Sequence, residues 1–234
     1  KLGTDTFFSE DELKISKRLI QKLYNAAKFA ILQLDNFIKP KAYDESILLP
    51  VDRWILQRVN ETTLKAIALL NDYEIGQARH EIDNLFWKDF CDYYIEIVKE
   101  RLYQPKKHGT QQQYSGQIAI YYSLLGILKL YAIYMPYITE YIYQDFYRKY
   151  EKEISLHQTL WETRKKEQNY IEFGEHLKEV IARVRKDKAE KQMSIKEPIL
   201  EVVITCPKRF RDFYRKSEKD IKACTGAERI IIRN

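Results

Sequence analysis

The segment from Gly116 to Tyr134 is apolar on nearly every side of a helical wheel, and this constrains the fold more than any other feature. Its aliphatic residues include Ile118, Leu124 and Leu128, and they leave no continuous polar face to meet water. A helix that is hydrophobic all round has to be covered on all sides. The chain contains no run of about 18 apolar residues that could cross a bilayer. The segment is therefore predicted to be the central helix of a helical bundle.

Residues that break helices are few and stand between periodic segments. The 234 residues include 7 Gly and 6 Pro, and Pro40, Pro105 and Pro136 each mark a point where a helical pattern stops or restarts. Asp52 precedes an apolar pattern and is predicted to cap the second helix. The predicted helices span residues 9–37, 52–70, 74–103, 116–134 and 137–150, with a polar loop at 106–113. Short connections between them favour an antiparallel bundle over residues 1–150.

The C-terminal third of the chain has a different pattern. A linker at 151–166 leads into a strongly charged helix at 167–192. Residues 199–205 (ILEVVIT) are β-branched and alternating, 207–222 form an amphipathic helical pattern, and 229–232 repeat the strand pattern. The predicted fold class is mainly α, an antiparallel helical bundle followed by a small α+β (β-α-β) appendix, divided at 1–150, 151–166 and 167–234.

Composition narrows the functional classes. A net charge of +6 permits a polyanionic partner without requiring one. Cys91, Cys206 and Cys224 form no C-x-x-C pair, which indicates a reducing compartment, the cytoplasm, and neither a disulfide framework nor a zinc site. The first ten residues are polar and mixed in charge, unlike a signal peptide.

No motif for bond chemistry is present. The sequence lacks a glycine-rich nucleotide loop, a nucleophile elbow and an H-E-x-x-H helix, and its four histidines lie far apart. Asp89 and Asp92 share a helical face, but that spacing is too common to indicate catalysis. We therefore predict no catalytic residue, no metal site and no cofactor in this chain.

The first predicted helix carries an aromatic ring on its polar side. Its apolar face is formed by Leu19, Ile20, Leu23, Ala27, Ala30 and Leu34. Asn25, Lys28 and Phe29 lie at i, i+3 and i+4 away from that face, so their side chains share one patch. An amide can read a base edge, a cation can hold a phosphate, and a ring can stack on a base. The patch is a candidate RNA site, with Arg18 and Lys22 as candidate phosphate contacts.

Two structural alternatives stay open at this point. Phe29 and Leu32 can instead pack together under a neighbouring helix while the basic residues only meet solvent. Two interpretations are also open for the charged helix at 167–192, whose cations either form a solvated face or contact further phosphates. The residues concerned are Arg183, Arg185, Lys186 and Lys188.

Several motifs, in order along the chain, resemble one family. KLYNAAKFA (22–30) resembles the helix that opens the anticodon-binding domain of valyl-tRNA synthetases. The other resembling segments are KLGTDTFFSEDEL (1–13), DRWILQRVNET (52–62), LFWKDFCDYYIE (85–96), LKLYAIYMPYITEYIYQ (128–144), SLHQTLWE (155–162) and ARVRKDKAEKQMS (182–194). Synthetases for isoleucine and leucine share versions of several motifs, so the order of the whole set carries the resemblance.

The resemblance implies roles for individual residues. In the family, an asparagine, a basic residue and a phenylalanine of the first helix contact the anticodon, and they match Asn25, Lys28 and Phe29. The family commonly has arginine at the position of Lys28, so a bidentate contact is replaced by a point charge. An aliphatic side chain of the third helix also touches the anticodon, and it matches Ile95. Leu32 matches no contact residue and is expected to pack against the bundle.

The resemblance also implies a larger context. The chain is expected to be part of a monomeric enzyme that joins valine to tRNA(Val) with ATP and Mg²⁺ bound upstream of this segment. The segment at 151–166 is expected to cross back over the bundle. The chain alone is expected to be catalytically inactive. The alternatives are the same domain of an isoleucyl-tRNA synthetase, a non-catalytic helical protein-interaction module, or a non-specific RNA chaperone.

Overall fold

The computed structural model describes residues 9–40 and 44–233, apart from the side chain of Glu12. The bundle helices are α1 (Glu10–Leu32), α2 (Pro50–Asn71), α3 (Ile75–Asn84), α4 (Glu96–Tyr103), α5 (Pro105–His108), α6 (Thr110–Tyr131), α7 (Pro136–Asp145) and α8 (Gln168–Glu190). A π-helical segment, Leu85–Ile95, joins α3 to α4 without a break. We call this continuous unit, residues 75–103, the composite third helix.

The C-terminal region forms the predicted β-α-β unit. It contains β1 (Ile199–Thr205), α9 (Arg211–Lys216), α10 (Glu218–Thr225) and β2 (Ala227–Arg233). The two strands are parallel, with Val202 opposite Ile230. The mainly α fold with a small α+β appendix is therefore confirmed. The segments at 1–8 and 41–43, which include part of one resembling motif, lie outside the described residues.

The central position of α6 explains its composition. Ile118, Leu124 and Leu128 are at most 1% exposed. A Cβ added to Gly126 would lie 2.5 Å from Cγ1 of Val59, so α2 and α6 pack closely at this point. The prediction of a central buried helix is confirmed.

The first helix is shorter than predicted. It ends at Leu32, and tighter turns follow in which the amide of Leu34 donates to Ile31 O at 2.9 Å and that of Phe37 to Leu34 O at 3.0 Å. These turns direct Leu34 and Phe37 into the core. Leu32, expected to pack against the bundle, is 65% exposed because it lies where the helix ends. Ile20 is also largely exposed and lies at the edge of the apolar face.

The start of α2 differs from the prediction as well. The helix begins at Pro50, with Leu49 at the cap position, so Asp52 is not the N-cap. Proline suits the first helical position because the amide it lacks would have no partner inside the helix. Asp52 instead lies in the first turn and is fully buried.

The predicted polar loop at 106–113 is mostly helical. The short helix α5 begins at Pro105, and α6 begins at Thr110. Gly109 joins them with a φ of 108°, a backbone conformation that residues with a Cβ rarely adopt.

The linker at 151–166 lies against α2 and α6. The side chain of Asn60 donates to Arg164 O at 3.0 Å and accepts from Arg164 N at 2.7 Å. Lys129 donates to Leu160 O at 3.0 Å. The domain boundaries themselves stay a prediction. Within the described part of the chain, no helix is long and apolar enough to cross a membrane.

Candidate nucleic-acid interface

The helix α1 and the composite third helix lie side by side and run in the same direction. The ammonium group of Lys22 lies 5.4 Å from the centre of the Trp87 ring. Further along both helices, the rings of Phe29 and Tyr103 are 5.9 Å apart at an interplanar angle of 67°. Asn25 and Ile95 lie between these two contacts along their respective helices.

The predicted anticodon residues differ in exposure. Asn25 and Lys28 are exposed, and neither side chain forms a hydrogen bond or ion pair with another described residue. Phe29 and Ile95 are half-buried and pack against the core. The surface thus presents a free amide and a free ammonium group beside a partly covered aromatic ring. Arg18 is exposed on the same helix.

The π-helical segment that ends at Ile95 is fixed by a buried carboxylate. Asp89 accepts from Arg58 Nε at 2.8 Å and from Lys178 Nζ at 2.6 Å. These cations come from α2 and α8, so three helices meet at one carboxylate. π-helical turns are rare and occur often at functional sites. The pair of cations holds the segment, and with it Ile95, in a defined position.

The four predicted phosphate contacts of α8 differ in accessibility, and two of them are occupied within the protein. Lys188 is buried and donates to Ile195 O at 2.8 Å and to Glu197 O, so it is not available for a phosphate, and that prediction is corrected. Arg185 is half-buried, donates to Asp92 O at 3.0 Å and lies 5.0 Å from the centre of the Tyr93 ring. It therefore serves mainly to attach α8 to the composite third helix.

The remaining two cations of α8 are accessible. Arg183 donates to Val203 O at 2.8 Å but stays exposed. The exposed Lys186 lies 3.8 Å from Glu190. A phosphate contact by either residue stays a prediction.

A buried ionic network lies behind the surface. Asp52 accepts from both terminal nitrogens of Arg101, at 2.6 and 2.9 Å, from the Tyr94 hydroxyl at 2.7 Å and from Ser115. Asp220 of α10 lies 3.4 Å from Arg101 Nε. Arg101 therefore binds the appendix to the bundle. Its burial lowers its pKa, but the carboxylates of Asp220 and Asp52 outweigh that effect and raise it.

Burial raises the pKa of Asp220 from 3.8 to about 6, against the opposing charge of Arg101. Because the folded state favours the protonated form, the contribution of Asp220 to stability is complete below about pH 4 and is lost as the pH rises through 6. The free energy of unfolding that is lost as the pH rises past both pKa values corresponds to roughly 3 kcal/mol.

Replacing Asp220 with Asn is expected to remove the pH dependence that this carboxyl gives to the free energy of unfolding. As the pH rises from 4 to 7, the unmodified chain should therefore lose stability relative to the variant. Urea unfolding at several pH values measures the difference. Asp212→Asn, at an exposed residue paired with Lys216, is the control. A stability difference independent of pH would contradict the prediction.

The bundle exposes an amide and a cation beside an aromatic ring. Among its described residues there is no set of three or more His, Cys, Asp or Glu suited to a metal. Residues 52–204 match the family described as the anticodon-binding domain of tRNA ligase, and the chain belongs to this family. The match includes Ile95 and the basic part of α8. It begins after α1, so the match itself does not include Asn25, Lys28 or Phe29.

Similar proteins extend the comparison to the first helix. The chain is 36% identical to the valine–tRNA ligase of Rickettsia felis, over 98% of the chain and 27% of the relative. It is 38% identical to that of Rickettsia prowazekii, over 85% and 25%, and 34% identical to that of Ehrlichia canis, over 100% and 28%. The chain thus spans about a quarter of the length of these relatives.

Proposed function

We propose that this chain binds the anticodon arm of tRNA(Val) as part of a cytoplasmic, monomeric valine–tRNA ligase. It holds the tRNA so that the acceptor end reaches a catalytic region, which uses ATP and Mg²⁺ and lies outside this chain. The chain itself supplies no catalytic residue and needs no cofactor.

The observation that carries the proposal is the free polar face of α1 beside the composite third helix. Asn25 and Lys28 have no partner among the described residues, although α1 is tied to its neighbour at both ends of this stretch. The similarity to valine–tRNA ligases over nearly the whole chain supports assigning this face to the anticodon of tRNA(Val).

Each side chain has a distinct part in recognition. The amide of Asn25 can donate to and accept from a base edge. Lys28 provides one point charge. Ile95 offers a half-buried apolar surface on the neighbouring helix. Arg18, Arg183 and Lys186 are accessible to phosphates.

Replacing Phe29 with Ala is expected to weaken tRNA binding by roughly 1–3 kcal/mol through lost stacking. Lys28→Ala is expected to weaken binding less and to reduce its salt dependence, because one charge contact is removed. Asn25→Ala is expected mainly to erode the preference for the correct anticodon base. Titrations with valine and isoleucine tRNAs at several salt concentrations measure all three effects.

The matched control is Tyr73→Ala, which removes an exposed ring in the turn before the composite third helix. Unchanged binding by the Phe29 variant, or its unfolding in thermal melts, would assign the ring to the core. Preference for isoleucine tRNA would favour the isoleucyl alternative, and equal binding of all RNAs would favour a chaperone.

A further inference from the structure

A second aromatic ring stands beside Phe29 and is more exposed. It belongs to Tyr103, the last residue of α4, which is 59% exposed. The two rings meet edge to face, with centroids 5.9 Å apart and planes at 67°. In such a contact the edge of one ring meets the face of the other, a favoured aromatic geometry. The contact leaves most of the Tyr103 ring open to solvent.

Phe29 alone is a limited platform for a base. It is half-buried and packs against the core, so only part of its ring is accessible. The exposed side chain of Leu32 lies one helical turn further along and widens the apolar surface around it. An unstacked base that covers this surface would therefore also meet Tyr103.

The position of Tyr103 is fixed by its backbone. The two preceding residues, Arg101 and Leu102, are buried in the bundle. The next residue, Gln104, donates its amide to Glu100 O at 2.8 Å and closes the helix before Pro105. The ring is thus presented from the rigid end of a helix, and Phe29 supports it from the side.

Several lysines lie close in sequence to the two rings. Lys28 precedes Phe29, and Lys106 follows Tyr103 by three residues; both are exposed and unpaired among the described residues. Lys99 and Lys107 are also near in sequence but are bound to Glu96 and Glu100 at 2.5 and 2.6 Å. Two unpaired lysines close in sequence to a pair of edge-to-face rings match the pattern of single-stranded RNA sites, in which bases stack on rings and phosphates meet cations.

We propose that Tyr103 is a second stacking platform of the anticodon site. One unstacked base of the anticodon loop lies on the Tyr103 ring, which Phe29 holds in place, and Lys28 and Lys106 contact the phosphates on either side. The proposal rests on the proposed function, since it concerns how the same surface holds the same class of RNA.

The test compares Tyr103→Ala with Tyr103→Phe in the full chain. Loss of one base–aromatic stack is expected to weaken binding of tRNA(Val) by roughly 5- to 150-fold. Phe keeps the ring, so Tyr103→Phe is expected to bind nearly as the unmodified chain does. Tyr73→Ala is the control: Tyr73 is 76% exposed and lies in the turn before the composite third helix, whose length separates it from Tyr103 by roughly 40 Å. Melting temperatures are expected to be unchanged in all three variants.

A fluorescent base gives a second readout. With 2-aminopurine at successive positions of the anticodon loop, stacking on a ring is expected to change the emission at one position when the chain binds. Tyr103→Ala is expected to abolish that change, and Tyr103→Phe to keep it.

The outcomes separate the two proposals. If Tyr103→Ala binds tRNA as well as the unmodified chain while Phe29→Ala binds weakly, Phe29 stacks alone and the role of Tyr103 is refuted. If the unmodified chain binds no tRNA, the proposed function fails and the inference fails with it. Weakened binding by Tyr103→Phe equal to that of Tyr103→Ala would assign the effect to the hydroxyl and also refute stacking.

Discussion

The variant Arg101→Ala is expected to lose about 3–5 kcal/mol of its free energy of unfolding. Arg101 is fully buried and forms two hydrogen bonds with the carboxylate of Asp52. Without the guanidinium group, Asp52 remains a buried charge that only the hydroxyls of Tyr94 and Ser115 stabilise. Asp220 loses its guanidinium neighbour at the same time and is left with the imidazole of His108 at 3.9 Å. Desolvated carboxylates without a cation are among the most costly groups in a protein interior.

Arg79→Ala is the matched control for this prediction. Arg79 lies on the same composite helix, has a side chain that is 42% exposed, and lies 3.7 Å from Asp83 one turn away. Exposed ion pairs contribute at most about 1 kcal/mol. Urea unfolding of both variants gives the comparison. A loss below 1 kcal/mol for Arg101→Ala would mean that the network contributes little to the join between bundle and appendix.

Periodicity predicted the elements whose burial is decided locally. The all-apolar pattern placed α6 at the centre, and alternation placed β1 in a sheet, because a helix or strand with such a surface has few other ways to exclude water. The patch of Asn25, Lys28 and Phe29 could also be recognised, since spacing on a helix fixes which side chains are neighbours.

Residues whose environment depends on distant partners could not be assigned in this way. In the sequence, Asp52 stands where a helix cap is expected. Its carboxylate can instead be buried because it pairs with Arg101, which lies 49 residues later in the chain. Lys188 belongs to a charged run, yet its ammonium group meets carbonyls of the loop after α8. The role of Tyr103 could not be predicted from the sequence either, because the contact between Tyr103 and Phe29 forms only when their two helices pack together.

The second large effect is expected at Trp54, where Trp54→Ala should cost about 3–5 kcal/mol. The indole of Trp54 is fully buried between α2 and α8. Gly174 of α8 lies directly on the ring, and a Cβ added to it would overlap three ring atoms. Removing the ring therefore leaves a cavity between the two helices at Gly174.

The close approach makes the converse substitution informative. Gly174→Ala is expected to destabilise the fold by about 1–3 kcal/mol, because the added methyl has no room beside the indole. Gly76→Ala is the control: no atom lies within 4 Å of a Cβ built there, and alanine favours a helix, so it should be neutral or stabilising by up to about 1 kcal/mol. Combined with Trp54→Leu, Gly174→Ala should cost less than the sum of the single changes, since the methyl enters space that the ring has left. Strict additivity in urea unfolding would show that the indole does not limit how closely α8 packs on α2.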